Sequence, residues 1–201
     1  YLNIYEYIVF VLVFFLFTVT ALLITPFVRL YTRGIVDTEY NQPLFGFLLV
    51  LSEALYLVKL PHLNLAYSAN KFKEITVPAY IEATLNIVIS VALVKKLGLI
   101  GVTIGTIVGM TYRMVFHVYY TSKIVPGRVQ RIFYRKLFLF AVGAGAGFAL
   151  CYKLLPLQNV TVGSWIVHAI FYCVVIGSIL LAISVLFFQN EMKFFAKYIK
   201  R

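Results

Sequence analysis

Charge is what this chain has least of. Asp, Glu, Lys and Arg make up 12% of its 201 residues, about half the ~25% of a soluble domain. Water cannot solvate so sparsely charged a surface, which excludes a free-standing soluble enzyme and leaves lipid to cover much of the molecule. Acids are the scarcer sign, seven against eighteen Lys and Arg, for a net charge of +11. No clustered pair of acids, no nucleophile–base set and no metal-ligand spacing appears, so the chain is not read as an enzyme and no cofactor or metal is expected. The two cysteines, Cys151 and Cys173, lie in or near apolar runs and suggest no disulfide framework. The basic residues are not interleaved with aromatics on a polar domain, so nucleic acid is not an expected partner. A basic opening with a small-residue cleavage site is also missing, so no signal peptide is read. The first residue is Tyr1 rather than Met, and the chain reads as a fragment of a longer protein.

What is abundant is apolar sequence. The hydrophobic fraction is 62% and the mean hydropathy is +0.93. The apolar residues fall into six runs, at about Tyr7–Val28, Leu44–Leu65, Val77–Val94, Leu99–Tyr120, Leu137–Leu155 and Val162–Phe188. A helix of about 20 apolar residues spans the hydrocarbon core, and backbone groups in lipid must pair within their own segment. The short alternating segments of a β-barrel are missing. The sequence therefore predicts an all-α, polytopic bundle of six spanning helices.

Loop charge gives an orientation. Lys71 and Lys73, then Lys123, Arg128, Arg131, Arg135 and Lys136, then Lys193, Lys197, Lys200 and Arg201 put eleven basic residues on one side. Arg29, Arg33, Lys95, Lys96 and Lys153 put five on the other. The richer side, with both chain ends, is expected in the cytoplasm. Residues 189–201 form a basic amphipathic tail, in which Met192, Phe195 and Ile199 can share a helical face at an anionic membrane surface; a frayed end is the alternative.

Polar groups inside the runs are costly, about 2.5–3.5 kcal/mol for an ionisable group at mid-bilayer. Glu53 and Lys59 in the second run point about 120° apart on a helix, so each needs a partner on another helix or a water-filled cavity. Glu82, Asn86 and Ser90 form a stripe at spacings of four in the third run, which faces either neighbouring helices or a cavity. Glu82 has snorkelling as a further option. In the fourth run Gly101, Gly105 and Gly109 make a flat face for close helix packing, continued by Arg113 and His117. Arg113 either snorkels or lines a cavity mouth, where its guanidinium suits phosphate. Gly143, Gly145 and Gly147 point to packing or bending, since the strand and helix of a phosphate loop are missing. His168 stands alone in an apolar run and reads as a packed histidine. Asn159-Val160-Thr161 matches a glycosylation sequon, with weight only in a secretory-pathway protein.

Three stretches carry a family resemblance: Leu30-Tyr31-Thr32-Arg33-Gly34-Ile35-Val36-Asp37 with Tyr40; Ala69-Asn70-Lys71-Phe72-Lys73; and Ile81 through Ser90 running into Leu97-Gly98-Leu99-Ile100-Gly101-Val102 and Gly105-Thr106. An Asn in mid-helix followed by a Gly-x-x-Gly turn into the next helix resembles the C-terminal lobe of the multidrug/oligosaccharidyl-lipid/polysaccharide exporter superfamily, in particular its O-antigen and capsular polysaccharide flippases. About half the chain is covered well; the last two runs match only as apolar helices. The resemblance implies residues 1–125 as C-terminal-lobe helices and 126–188 as two additional helices, in a transporter whose N-terminal lobe is missing here. It implies an inner-membrane protein that flips undecaprenyl-pyrophosphate-linked oligosaccharide to the outer leaflet by alternating access. Its partners would be that substrate, membrane lipids, the missing lobe, and polysaccharide polymerase and chain-length machinery.

Under this reading the first four runs line the cavity. Lys59 and Arg113 meet the pyrophosphate, Asn86 and Tyr56 contribute polar contacts, and Glu53 and Glu82 are the ion-coupling candidates. The rival readings are an ion-coupled drug or organic-cation antiporter of the same superfamily, which wants acidic cavity groups; a membrane-embedded glycosyltransferase or polymerase, for which the external loops are too short; and a non-transporting scaffold.

Overall fold

A computed structural model describes the chain except residues 36, 38, 158, 159, 200 and 201 and the side chains of 195, 196, 198 and 199. The sequon at Asn159, Val36 of the first resembling stretch, the basic ends Lys200 and Arg201, and the Phe195 and Ile199 side chains of the tail thus lie outside the described residues.

The described chain is helical: α1 (Leu2–Tyr31), α2 (Pro43–Val58), α3 (Leu60–Ser68), α4 (Phe72–Leu97), α5 (Leu99–Ile124), α6 (Gln130–Leu154), α7 (Val162–Phe187) and α8 (Gln189–Ile199). Counting α2 and α3 as one broken crossing, six helical segments are long and apolar enough to span a membrane, and the protein is a multi-pass membrane protein. Every segment but α7 is longer than the apolar run that predicts it. Hydropathy marks only the ~30 Å hydrocarbon slab, whereas the hydrogen-bond ladder continues into the headgroups. The 30 residues of α1 extend about 45 Å.

The break between α2 and α3 follows from Pro61. Proline has no N–H to give to the carbonyl four residues earlier, and that carbonyl, of Leu57, accepts from the Lys59 N–H instead. The carbonyl of Lys59 then accepts from both His62 and Leu63 as α3 starts.

α1 is the central staff. It packs on α2, α6 and α7, and α8 folds back against its first turns and α7. Aromatic rings fill the seam: Phe10 meets Phe133 edge-on at 5.3 Å between centroids, and Phe140 stacks on Phe188 at 5.3 Å. Since α1 leans on both members of the last hairpin, the groups 1–125 and 126–188 share one core.

α4 and α5 form a tight antiparallel hairpin joined at Gly98, whose φ of +58° is left-handed and suits glycine. The glycine stripe of α5 faces the polar stripe of α4. A Cβ added at Gly105 would stand 2.3 Å from Ser90 Oγ and 2.8 Å from the Asn86 carbonyl, and one at Gly109 3.0 Å from the Glu82 carbonyl. The hairpin joins the remainder mainly through α5, on α2 and α3; among the described helices α4 packs on α5 and α3 and leaves most of its surface bare. Gly143 and Gly147 of α6 likewise seat Ile183 and Ile176 of α7, while Gly145 faces open space.

The alternation of spans puts the start of α1, the α3–α4 turn, the α5–α6 loop and α8 at one end of the bundle, the end expected in the cytoplasm. In intact cells, an impermeant thiol reagent added outside is expected to label Asn41→Cys and to spare Pro126→Cys, both at exposed positions. The reverse pattern would invert the molecule.

Candidate functional site

Lys59, Glu82 and Arg113 converge. Lys59 lies 9 residues before the end of α3, Glu82 10 residues into α4, and Arg113 11 residues before the end of α5. At 1.5 Å per residue they sit about 14–17 Å from the same end of the bundle, near the middle of spans about 39 Å long. Lys59 Nζ donates to Glu82 Oε1 at 3.2 Å, with Met110 Sδ at 3.3 Å, and lies 4.6 Å from the ring centre of Tyr56, a cation–π distance. Arg113 donates from Nη1 to Glu82 Oε2 at 2.5 Å and from Nε to His117 Nε2 at 2.8 Å. Lys59 is 2% and Arg113 8% exposed.

Arg113 therefore does not snorkel, and neither does Glu82. Two cations within reach of one carboxylate are held better by it than by distant headgroups, because attraction strengthens away from water. Asn86, one turn along α4, accepts from Ser90 Oγ at 3.0 Å and Thr106 Oγ1 at 3.4 Å, so it faces α5 and helps to bind the hairpin. Glu53 is exposed on α2 and makes no ion pair among the described residues. Of the six positions singled out in the sequence, the fold brings Lys59, Tyr56, Glu82 and Arg113 together, sets Asn86 into the hairpin seam, and leaves Glu53 exposed, within electrostatic range of Lys59 but not paired with it.

A cavity of about 320 Å³ lies among the first, second and fourth runs, lined by residues such as Ile24, Val28, Phe45, Leu49 and Leu99 and by none of the six positions. An apolar cavity of about 300 Å³ opens between α1, α2 and α6, lined by Val13, Phe17, Val50, Ala144, Gly145 and Phe148. The reason is steric: the α5 glycines close the hairpin completely, while Ala144 and Gly145 leave room opposite α1 and α2. The Lys59 cluster is a compact ion-pair site beside this cavity rather than part of its wall.

A second buried cluster ties the bundle near the expected cytoplasmic end. Glu6 of α1 is wholly buried. Its carboxylate accepts from Lys136 Nζ at 3.0 Å and from Arg128, and His62 Nε2 lies 3.1 Å away. Lys136 also donates to the Asn3 carbonyl at 2.8 Å and stands 4.0 Å from Glu191, and Arg128 reaches Asn3 Oδ1. Here two acids meet two cations, and the cluster locks α1, α3, α6, α8 and the α5–α6 loop. The Lys59 cluster, by contrast, holds one carboxylate between two cations.

The sequence reading missed Glu6, because the first run was begun one residue later, at Tyr7. The signal was present: Glu6 is the lone acid of α1, and His62 and Lys136 are ionisable groups inside later spans. His117 was seen only as part of a packing stripe, yet its Nε2 fixes the Arg113 guanidinium. His168 is as read, with Nδ1 2.7 Å from the Ser164 carbonyl and its ring edge-on to Tyr172. Compared with protein-family models, with curated proteins and with solved structures, the chain matches none.

Proposed function

We propose that the chain is one helical lobe of a flippase that carries undecaprenyl-pyrophosphate-linked oligosaccharide from the cytoplasmic to the outer leaflet by alternating access. One observation carries the reading: two cations share one carboxylate at mid-depth, beside the Pro61 break in a spanning helix. Midplane sites at discontinuous helices are where transporters hold substrate and coupling ions, and a charged group so deep marks a pathway more often than a packing choice. The resemblance of residues 81–106 to polysaccharide flippases points the same way.

The mechanism follows from the charges. A pyrophosphate arriving from the cytoplasm competes with Glu82 for Lys59 and Arg113. Lys59, on a flexible stem and at the break, is the freer of the two; Arg113 is pinned by His117 as well. Once released, Glu82 becomes a carboxylate able to take a coupling ion, and Tyr56 remains stacked over the ammonium. An organic-cation antiporter fits this geometry less well, because Glu82 is already held by two cations.

Cells lacking the native gene and carrying whole-protein variants test the reading. Lys59→Gln and Arg113→Gln are expected to lower export of surface polysaccharide about tenfold or more, the worth of one charged hydrogen bond, at unchanged membrane protein level. Lys59→Arg is expected to retain part of the activity. Normal export by the Lys59→Gln variant would remove the required cation, and unchanged surface polysaccharide in the deletion strain would remove the flippase reading altogether.

A further inference from the structure

We infer that the mouth between the start of α6 and the α7–α8 elbow is a binding site for the phosphodiester headgroup of an anionic phospholipid, seated on Arg131 and Arg135. The site is separate from the mid-depth cluster and does not rest on the flippase reading.

At Phe188 the chain turns from α7 into α8, and the elbow stands opposite the first two turns of α6. Between them lies a cavity of about 450 Å³, lined chiefly by Arg131, Ile132, Arg135, Lys136, Phe187 and Glu191. Its charges divide into two sets. Lys136 is spent on Glu6 at 3.0 Å and the Asn3 carbonyl at 2.8 Å, with Glu191 at 4.0 Å. Those groups neutralise one another within the protein. Arg131 and Arg135 are exposed and make no ion pair among the described residues. They stand one turn apart on one face of α6, so both guanidinium forks can converge on one phosphate, the bidentate geometry at which arginine excels.

Depth and continuity identify the anion as a lipid. Arg131 and Arg135 lie about 2 and 8 Å along α6 from its first residue, which is headgroup depth. The same helix face continues at Phe138 and Val142, which are 66% and 54% exposed. A cationic first stretch running into a bare apolar track matches a headgroup followed by an acyl chain, and a free phosphate would have no use for the track. Ile132 and Phe187 offer apolar contact at the glycerol level. Basic pockets between spanning helices on the cytoplasmic side hold anionic headgroups in this manner.

The test uses the whole protein, purified in detergent and offered phosphatidylglycerol and phosphatidylcholine of matched acyl chains, with retained lipid read by native mass spectrometry. The wild type is expected to keep phosphatidylglycerol preferentially. Near the membrane surface each cation is worth about a fivefold preference, so Arg131→Gln/Arg135→Gln should lower the retained phosphatidylglycerol-to-phosphatidylcholine ratio about 25-fold. Lys95→Gln/Lys96→Gln, at the opposite end of the bundle, should leave it unchanged. Arg131→Lys/Arg135→Lys should keep part of the preference. All these positions are exposed, so the variants retain the fold, checked by an unchanged melting temperature. Millimolar inorganic phosphate should fail to displace the lipid. An unchanged ratio in the double Gln variant, equal retention of phosphatidylcholine by the wild type, or displacement by inorganic phosphate would each overturn the assignment, the last by showing a site for a free anion.

Discussion

Glu6→Gln is expected to destabilise the bundle by about 3–5 kcal/mol, the usual result of removing one partner from a buried ionic cluster. The carboxylate is wholly buried and is shared by Lys136, Arg128 and His62. The amide carries no charge, so Lys136 would stay 2% exposed with Glu191 as its one, distant counterion among the described residues. Because the cluster joins α1, α3, α6, α8 and the α5–α6 loop, its loss loosens the end of the bundle and not a single contact. Equilibrium unfolding in mixed micelles measures the change, and the double variant Glu6→Gln/Lys136→Met isolates the pair. Removing both charges should recover part of the loss, with a coupling of about 1–3 kcal/mol. A loss for Glu6→Gln below about 1 kcal/mol would show that the carboxylate is solvated and the lock absent.

Gly105→Val is expected to force the α4–α5 hairpin apart, at about 1–3 kcal/mol or more, the range for overpacking a close contact. Even the first added carbon would lie 2.8 Å from a backbone carbonyl of α4, and backbone cannot rotate away as a side-chain tip can. The two γ-methyls of valine enlarge the clash. Gly145 is the control. Nothing lies within 4 Å of its added carbon, so Gly145→Ala should be neutral, or stabilising by up to about 1 kcal/mol through helix propensity. Unfolding in micelles ranks the two, and cross-linking between cysteines at Ser90 and Thr106 should fall in Gly105→Val. Equal stability of the two variants would mean that the glycine stripe does not face α4.

The spans were legible because lipid imposes a one-dimensional rule: each crossing needs its own run of apolar residues, and Leu2–Tyr31 and Val162–Phe187 satisfy it without help from tertiary structure. The glycine seam was legible too, since Gly101, Gly105 and Gly109 recur at the spacing of one helix face. Partnerships were not. Nothing in the chain's order says that Lys59 and Arg113 will meet at Glu82, because that depends on how α2 and the hairpin rotate about their axes. The rotation is set by side chains such as Met110 and Tyr56, which carry no periodic signal. The break at Lys59 had a local cause in Pro61, but a proline inside an apolar run also fits an unbroken kinked helix. Glu6 escaped because a hydropathy boundary drawn one residue late moves a buried carboxylate into a solvated end. The tail was legible as an amphipathic segment, and α8 does form; its docking on α1 required the Phe188 elbow.

The pairing of Glu82 with Arg113 has a consequence for biosynthesis. Both residues belong to one helical hairpin, so when residues 72–124 leave the insertion machinery together, the guanidinium carries its counterion with it. Each charge alone would oppose entry by about 2.5–3.5 kcal/mol; as a hydrogen-bonded couple across a glycine seam they enter close to neutral. Lys59 has no such companion. Its span emerges first, and its counterion is still inside the ribosome. The α2–α3 crossing is thus the span expected to insert least readily on its own, and Glu82 the residue expected to ease its entry.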